Sequence, residues 1–310
     1  MHPVVAIVGP TASSKTDLSL FLAESFSGEI VNYDSLQIFR HLDIGTAKPT
    51  AEERSRAPHH MIDIREPTEI FTAGEYQREA RRVLDEIRAR ARLPILVGGT
   101  GLYLRALIEG LFIGPSRSLY WRNRLEMIAE RKGRTYLHRL LKRLDPTAAS
   151  RIAERDKPKI IRALEVRLET GKPLSQHLEE RPRHPIQGFN FLLIGLNPPR
   201  EELYRRINER VQRMFQGGLV DEVRSLLASG VPPSAKPFEA IGYRHVIASI
   251  DSSIPHEETI RIIQRDTRRY AKRQMTWFRK QSEVTWFDGP GDSKEIKNRV
   301  HQFLKPLVTF

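Results

Sequence analysis

Cysteine is absent from the sequence, which excludes disulfides and thiolate metal sites and suits a cytoplasmic location. Long apolar runs are absent too. The longest is FNFLLIGL (189–196), far below the roughly 20 residues that a bilayer-spanning helix needs, so no membrane partner is expected. Met1 leads directly into a strand-like run, and no signal peptide is expected. There is no internal repeat and no low-complexity tail. Acidic residues are in short supply: 38 Asp and Glu face 51 Lys and Arg, a net charge of +13.

The 310 residues are 39% hydrophobic and 29% charged, enough for a globular core spread over one or two domains. The positive excess is unevenly placed. Residues 1–112 hold 13 basic against 15 acidic residues, residues 113–186 hold 18 against 9, and residues 187–310 hold 20 against 14. A segmental excess of this kind suits contact with a polyphosphate backbone, which a small-molecule enzyme would not require; a generally basic proteome is the alternative.

VVAIVG (4–9), EIVNYD (29–34) and LPILVGG (93–99) read as buried strands ending in glycine or aspartate. KTDLSLFLAESF has helical spacing at Leu18, Leu22 and Phe26, and AGEYQREARRVLDEIRARAR is an amphipathic helix between the second and third strands. Strand, helix, strand predicts an α/β fold: a doubly wound parallel sheet of P-loop type, with ligand sites at the carboxyl ends of the strands. Strand signals stop between about 115 and 186, where WRNRLEMIAERKG, TYLHRLLKRLD and KPKIIRALEVRLETG all have helical periodicity. The expectation is a helical, basic insertion over 115–186 within a core made of 1–114 and 187–310. FNFLLIGL resumes the sheet, and two helices follow around Gly217 and Gly218. A last long helix runs from about Pro255 to Gln281, before a short strand, EVTWF.

GPTASSKT (9–16) follows the first strand and opens a helix, the context of a phosphate loop. It matches G-x-x-x-x-G-K-[ST] except that Ser14 stands at the second glycine. Gly9, Pro10, Thr11, Ala12, Ser13, Ser14, Lys15 and Thr16 are the expected phosphate-binding residues. Backbone N–H groups and the helix N-terminus would face the anion, Lys15 supply a point charge, and the Thr16 hydroxyl reach a phosphate-held Mg²⁺. If position 14 needs a positive φ, serine costs about 1–2 kcal/mol there. The loop alone does not name its ligand. A kinase or NTPase adds an aspartate at a neighbouring strand end, yet LPILV ends on Gly98, Gly99 and Thr100. Asp34 ends the other strand and is open to two roles, metal partner or general base.

Seven segments narrow this. GPTASSKT, DSLQIFRHLDIGTAKP (34–49), PHHMIDI (58–64), GGTGLY (98–103), RALEVRLETGKPLS (162–175), AIGYR (240–244) and AKRQMTWFR (271–279) occur in order. Together they resemble the tRNA dimethylallyltransferases over nearly the whole chain. The resemblance implies transfer of a dimethylallyl group from dimethylallyl diphosphate to the exocyclic amine of the adenine just 3′ of the anticodon. It implies Mg²⁺ as cofactor, no use of ATP, and the tRNA anticodon stem-loop as partner. The chain is expected to act as a monomer.

Under that resemblance the loop holds a diphosphate leaving group, and Asp34 becomes the candidate base. Ser35, Leu36 and Gln37 lie beside it, where the edge of a flipped base would be read. Thr100 follows two glycines; the resemblance implies a place in the reaction channel, and capping of the helix near Leu102 is the alternative. The resemblance also assigns Arg210 to the diphosphate. Leu203, Ile207, Val211 and Met214 lie along one face of its helix and Arg206, Arg210 and Arg213 along another, a stripe that a solvated basic face would equally produce.

The remaining expected tRNA contacts are Arg122, Lys159 and Arg162 in the insertion, Gly242, Tyr243 and Arg244 in AIGYR, and Lys272, Arg273 and Arg279. The last three belong to a helix (261–280) in which only Asp266 offsets eight basic residues, a composition suited to a phosphate backbone. Tyr243 and Trp277 are candidates to stack on unpaired bases, whereas Phe278 reads as core. His59 and His60 are adjacent, project differently and lack a paired carboxylate at helical spacing, so no metal site is expected there. Two other readings remain: a small-molecule kinase or NTPase, and prenyl transfer to a free adenine nucleotide.

Overall fold

The structure, a computed structural model, describes residues 1–111, 114–180, 185–252, 254–281 and 283–308. The chain forms two compact units, Met1–Ile108 with Ile186–Phe310, and Glu109–Pro185.

The larger unit contains β1 (His2–Val8), α1 (Lys15–Ser25), β2 (Gly28–Asn32), α2 (Ala51–Arg56), β3 (His59–His60), α3 (Ala73–Ala89), β4 (Leu93–Val97) and α4 (Gly101–Ile108). The smaller unit contains α5 (Leu119–Lys132), α6 (Arg134–Leu144), α7 (Pro146–Arg151), α8 (Lys157–Thr170) and α9 (Leu174–Glu180). The larger unit then resumes with β5 (Phe189–Leu196), α10 (Arg200–Gln216), α11 (Leu219–Ala228), α12 (Tyr243–Ser252), α13 (His256–Phe278), β6 (Val284–Phe287) and α14 (Lys294–Leu304).

Among the described residues six strands form one parallel sheet, in the order β3-β2-β4-β1-β5-β6. The unbroken valine and isoleucine run of β1 is what a parallel strand covered on both faces requires. Its side chains alternate between two cores. Val4, Ala6 and Val8 pack with α3 and α4 residues such as Val83, Leu84 and Leu107. Val5 and Ile7 pack with Leu18 and Leu22 of α1 and with Ile296, Val300 and Leu304 of α14. The helix α14 was not anticipated, since α13 read as the last helix. Neither was β3, whose two histidines carry no strand pattern and owe their form to pairing with Ile30 and Val31.

Helix α3 starts as its sequence dictates: Thr72 Oγ1 accepts the Glu75 N–H, and Glu75 Oε2 accepts the Thr72 N–H. A third core, including Ile38, Phe39, Leu42, Val223, Phe238 and Tyr243, underlies the segment that follows β2. In the smaller unit Leu125, Leu137, Leu141, Ile160 and Leu164 form a separate core.

Candidate active site

β1 lies between β4 and β5, so the chain builds outward from it on both sides, and the loop after β1 sits at the switch point where such sheets bind ligands. In that loop Gly9 has φ 145°, and a Cβ there would stand 2.9 Å from the Leu196 carbonyl. Ala12 and Ser14 are left-handed, with φ of 65° and 59°. Position 14 therefore does need the conformation that glycine adopts without strain. Neighbours hold the serine in it. Arg206 donates to Ser14 Oγ at 3.1 Å and to Asp292 at 2.8 Å, and the Gly291 N–H donates to the Ser13 carbonyl at 2.9 Å. Arg206, rather than Arg210, is thus the arginine that touches Ser14.

Lys15 folds back over the loop, its Nζ donating to the carbonyls of Gly9 at 3.1 Å and Pro10 at 2.7 Å. Burial and the nearby Arg210 charge lower its pKa to about 7, with Asp34 pulling the other way. Arg210 donates to Thr11 Oγ1 at 3.3 Å and to the Thr46 carbonyl at 3.5 Å. Burial lowers its pKa as well, again opposed by Asp34. Two half-buried basic groups whose pKa values are lowered, held beside left-handed loop backbone, form a site that an arriving polyanion would charge more fully.

Asp34 lies two residues beyond the end of β2. Asn32 sets its backbone: Asn32 Oδ1 accepts the Asp34 N–H at 3.0 Å, and Asn32 Nδ2 donates to the carbonyls of Asp34 and Met61. Asp34 Oδ1 accepts the Leu36 N–H at 2.9 Å, a local turn. Oδ2 stands 3.1 Å from the point a Gly99 Cβ would occupy, so a side chain at 99 would crowd it. Burial raises the Asp34 pKa, and the Leu36 N–H and Lys15 oppose the rise. A carboxylate with an elevated pKa and one constrained oxygen has the properties of a general base.

Thr100 does not cap its helix through its hydroxyl. Thr100 Oγ1 accepts the Ser35 N–H at 2.9 Å and donates to Ser35 Oγ at 3.0 Å, tying the loop after β4 to the loop after β2. Gln37 Nε2 donates to the carbonyls of Thr46 and Ala47, each at 3.2 Å. Glu222 holds the same stretch from the other side, accepting the N–H groups of Asp43, Ile44 and Gly45.

The reading of Tyr243 as a base-stacking residue is corrected: it is fully buried, with its hydroxyl donating to Glu222 at 2.7 Å and its ring flat against Gly45. Gly242 beside it is buried at φ 100°, while Arg244 is exposed. Trp277 packs on Gly101, and Phe278 is buried in the core. Asp266, counted from sequence as the one offset to a basic helix, organises that helix. It pairs with Arg244, His245, Arg265 and Arg269 at 3.1–3.4 Å. Lys272 and Arg273 are exposed, and Arg279 donates to Asn197 Oδ1 at 3.2 Å. A cleft of about 510 Å³ opens here, floored by Pro198, Leu203 and Met275 and rimmed by Arg200, Lys272 and Arg279.

In the smaller unit Arg122 and Arg162 both pair with Glu165, which is fully buried, at 2.9 and 2.8 Å. Lys159 pairs with Asp156 at 2.5 Å and is largely exposed. His60 Nε2 meets Glu29 at 2.7 Å, and His59 Nδ1 meets the Ala57 carbonyl.

Asn32 and Gln274 escaped sequence reasoning. Gln274 accepts the Thr11 N–H through Oε1 at 2.8 Å and donates through Nε2 to the Gly99 carbonyl at 3.0 Å. Its signal was available: it shares the apolar face of α13 with Ala271 and Phe278, and a polar side chain on a buried face calls for a partner.

With this geometry in place, comparison with known proteins is decisive. The family model described as IPP transferase matches residues 37–281. The chain belongs to the IPP transferase family. Among its relatives is a tRNA dimethylallyltransferase of Koribacter versatilis, 50% identical over 299 residues, or 96% of this chain and 97% of that one. Another, from Solibacter usitatus, is 50% identical over 306 residues, covering 97% and 99%. Family members of known structure are similar throughout. The full-length tRNA isopentenylpyrophosphate transferase of Bacillus halodurans aligns with a TM-score of 0.73 at 40% identity, covering 99% of this chain and 96% of that one. A eukaryotic dimethylallyltransferase acting on tRNA aligns with a TM-score of 0.81 at 25% identity, covering 98% of this chain and 78% of the other.

Proposed function

We propose that this chain transfers the dimethylallyl group of dimethylallyl diphosphate to N6 of the adenine on the 3′ side of the tRNA anticodon, releasing diphosphate. The observation that carries this reading is a phosphate loop on which two basic side chains converge, Lys15 bonded to the Gly9 and Pro10 carbonyls and Arg210 to the Thr11 hydroxyl, with the Asp34 carboxylate near both. A phosphoryl-transfer enzyme would place an aspartate at the end of β4, where this chain has Gly98, Gly99 and Thr100.

As the reaction proceeds, the C1–O bond of the donor breaks and the N6–C1 bond forms. Negative charge gathers on the diphosphate, where Lys15, Arg210 and the loop N–H groups receive it. The adenine amine is a weak nucleophile because its lone pair is shared with the ring. It therefore attacks a carbon that already carries allylic cation character, and Asp34 Oδ2 takes the N6 proton while Oδ1 stays fixed by Leu36. Thr100 and Ser35, bonded to one another, keep the acceptor side of the channel in place.

Among the described residues no three His, Asp or Glu side chains gather into a metal site. Mg²⁺ carried on the donor fits such a donor set, because this ion takes most of its shell from phosphate oxygens and water, leaving the Thr16 hydroxyl as the protein ligand. When bound it would neutralise charge on the leaving group. The exposed Arg244, Lys272, Arg273 and Arg279, together with Lys159 in the smaller unit, are the proposed tRNA contacts. The test is incubation with unmodified tRNA, labelled dimethylallyl diphosphate and Mg²⁺. Label transfer to tRNA supports the proposal. Consumption of ATP without label transfer, or transfer to free adenine nucleotide in preference to tRNA, would replace it.

A further inference from the structure

We infer that Gln274 is a positioning residue that holds the donor-binding loop and the acceptor-side loop at a fixed separation. The inference rests on the proposed function, since it assigns the two loops to the two substrates. Gln274 is 6% exposed, and one amide group spans the mouth of the sheet. Its Oε1 accepts the N–H of Thr11, inside the loop after β1, and its Nε2 donates to the carbonyl of Gly99, inside the loop after β4.

Each contact lies one step from a reacting group. The hydroxyl of Thr11 accepts from Arg210, to which the proposed function gives the diphosphate. Gly99 precedes Thr100, and the space over its Cα is shared by Gln274 Nε2, at 2.8 Å from the missing Cβ, and Asp34 Oδ2, at 3.1 Å. Further down, the sheet fixes β1 and β4 to each other through backbone pairing that ends at Ile7 and Val97. Beyond that level Gln274 links the two loops.

A neutral primary amide suits this place because it offers an acceptor on one side and a donor on the other. A carboxylate would keep the acceptor for Thr11 but turn an oxygen toward the Gly99 carbonyl. A thioether of similar length would keep the volume and lose both bonds. Displacement of a reacting group by about 1 Å costs on the order of a hundredfold in rate, so the predicted losses appear in the chemical step.

The experiment compares Gln274→Met and Gln274→Glu with the parent chain in three measurements: single-turnover rate at saturating donor and tRNA, Kd for tRNA, and Kd for a non-transferable diphosphate analogue. Thermal unfolding accompanies each. The expected result is a loss of about ten- to hundredfold in the saturated rate, with each Kd changed less than about threefold and the unfolding transition still cooperative. Gln274→Glu retains the Thr11 bond but sets a carboxylate oxygen against the Gly99 carbonyl and Asp34 Oδ2, so it should lose at least as much as Gln274→Met. Saturated rates within twofold of the parent in both variants would overturn the inference. So would a loss confined to tRNA affinity, which would make Gln274 an RNA contact, or losses in rate and both affinities that track thermal destabilisation. A parent chain that moves no label to tRNA would instead refute the proposed function.

Discussion

At Asp34, two oxygens of one carboxylate have different duties. Oδ1 is committed to the Leu36 N–H, and Oδ2 occupies space that Gly99 leaves open. Because burial raises its pKa, the proton returns at a higher pH than for an ordinary aspartate. The carboxylate is the active form, so kcat/KM should fall as pH drops through that raised value, above the usual range near 3.8. Asp34→Ala should lower kcat by about a hundredfold or more and abolish this acid limb, while tRNA binding stays intact. Near-normal turnover in that variant would remove Asp34 as the base. Ser14 is the second residue of consequence. Its left-handed backbone costs about 1–2 kcal/mol, and its hydrogen bond from Arg206 returns a similar amount. Ser14→Gly should therefore leave stability within about 1 kcal/mol and activity within a few-fold of the parent, as read by thermal unfolding and donor KM. A thousandfold gain in activity would mean that the serine damages the loop.

Elements were legible in proportion to how much of their pattern is their own. β1 and β4, and the Leu192–Leu196 half of β5, are written as apolar runs, as strands covered on both faces require, whereas β2 shows only Ile30 and Val31 between Glu29 and Asn32. β3 exists through its partner strand, and its two histidines gave no period to detect. Helix α13 was legible from its helical periodicity, yet its buried face carries Gln274, whose meaning depends on loops 175 and 263 residues away in sequence. Tyr243 failed as a base-stacking candidate for the same reason: the Glu222 and Gly45 that enclose it are 21 and 198 residues away in sequence.

At this scale Glu165 on α8 provides the clearest stability test. Burial alone would raise its pKa, but Arg122, Arg162 and the Ser118 N–H outweigh burial and hold it below 4.5. Its stabilising contribution is therefore present above that ordinary value and lost as pH falls through the lowered one. Glu165→Ala leaves two arginines that still reach solvent, so the cost should be about 2–3 kcal/mol, at or below the low end for a broken buried pair. Denaturant unfolding followed by a probe in residues 109–185 measures it. An unchanged midpoint would show the pairs to be incidental.

Over the whole molecule, charge follows the division of labour that the motifs suggest: residues 1–112 are slightly acidic, and the remaining segments carry all of the positive excess. Binding through that surface releases counterions, so tRNA affinity should fall about a hundredfold between roughly 50 and 200 mM salt for about four phosphate contacts. Replacing Lys272 or Arg273 should reduce the slope of log affinity against log salt by about one each. A flat response would take nucleic acid out of the account. The most direct test of the central claim is to digest tRNA after reaction with dimethylallyl diphosphate and locate the added mass by nucleoside and fragment analysis. One dimethylallyl group on N6 of the adenosine 3′ of the anticodon is expected. Modification at another position, or none while diphosphate is released, would contradict it.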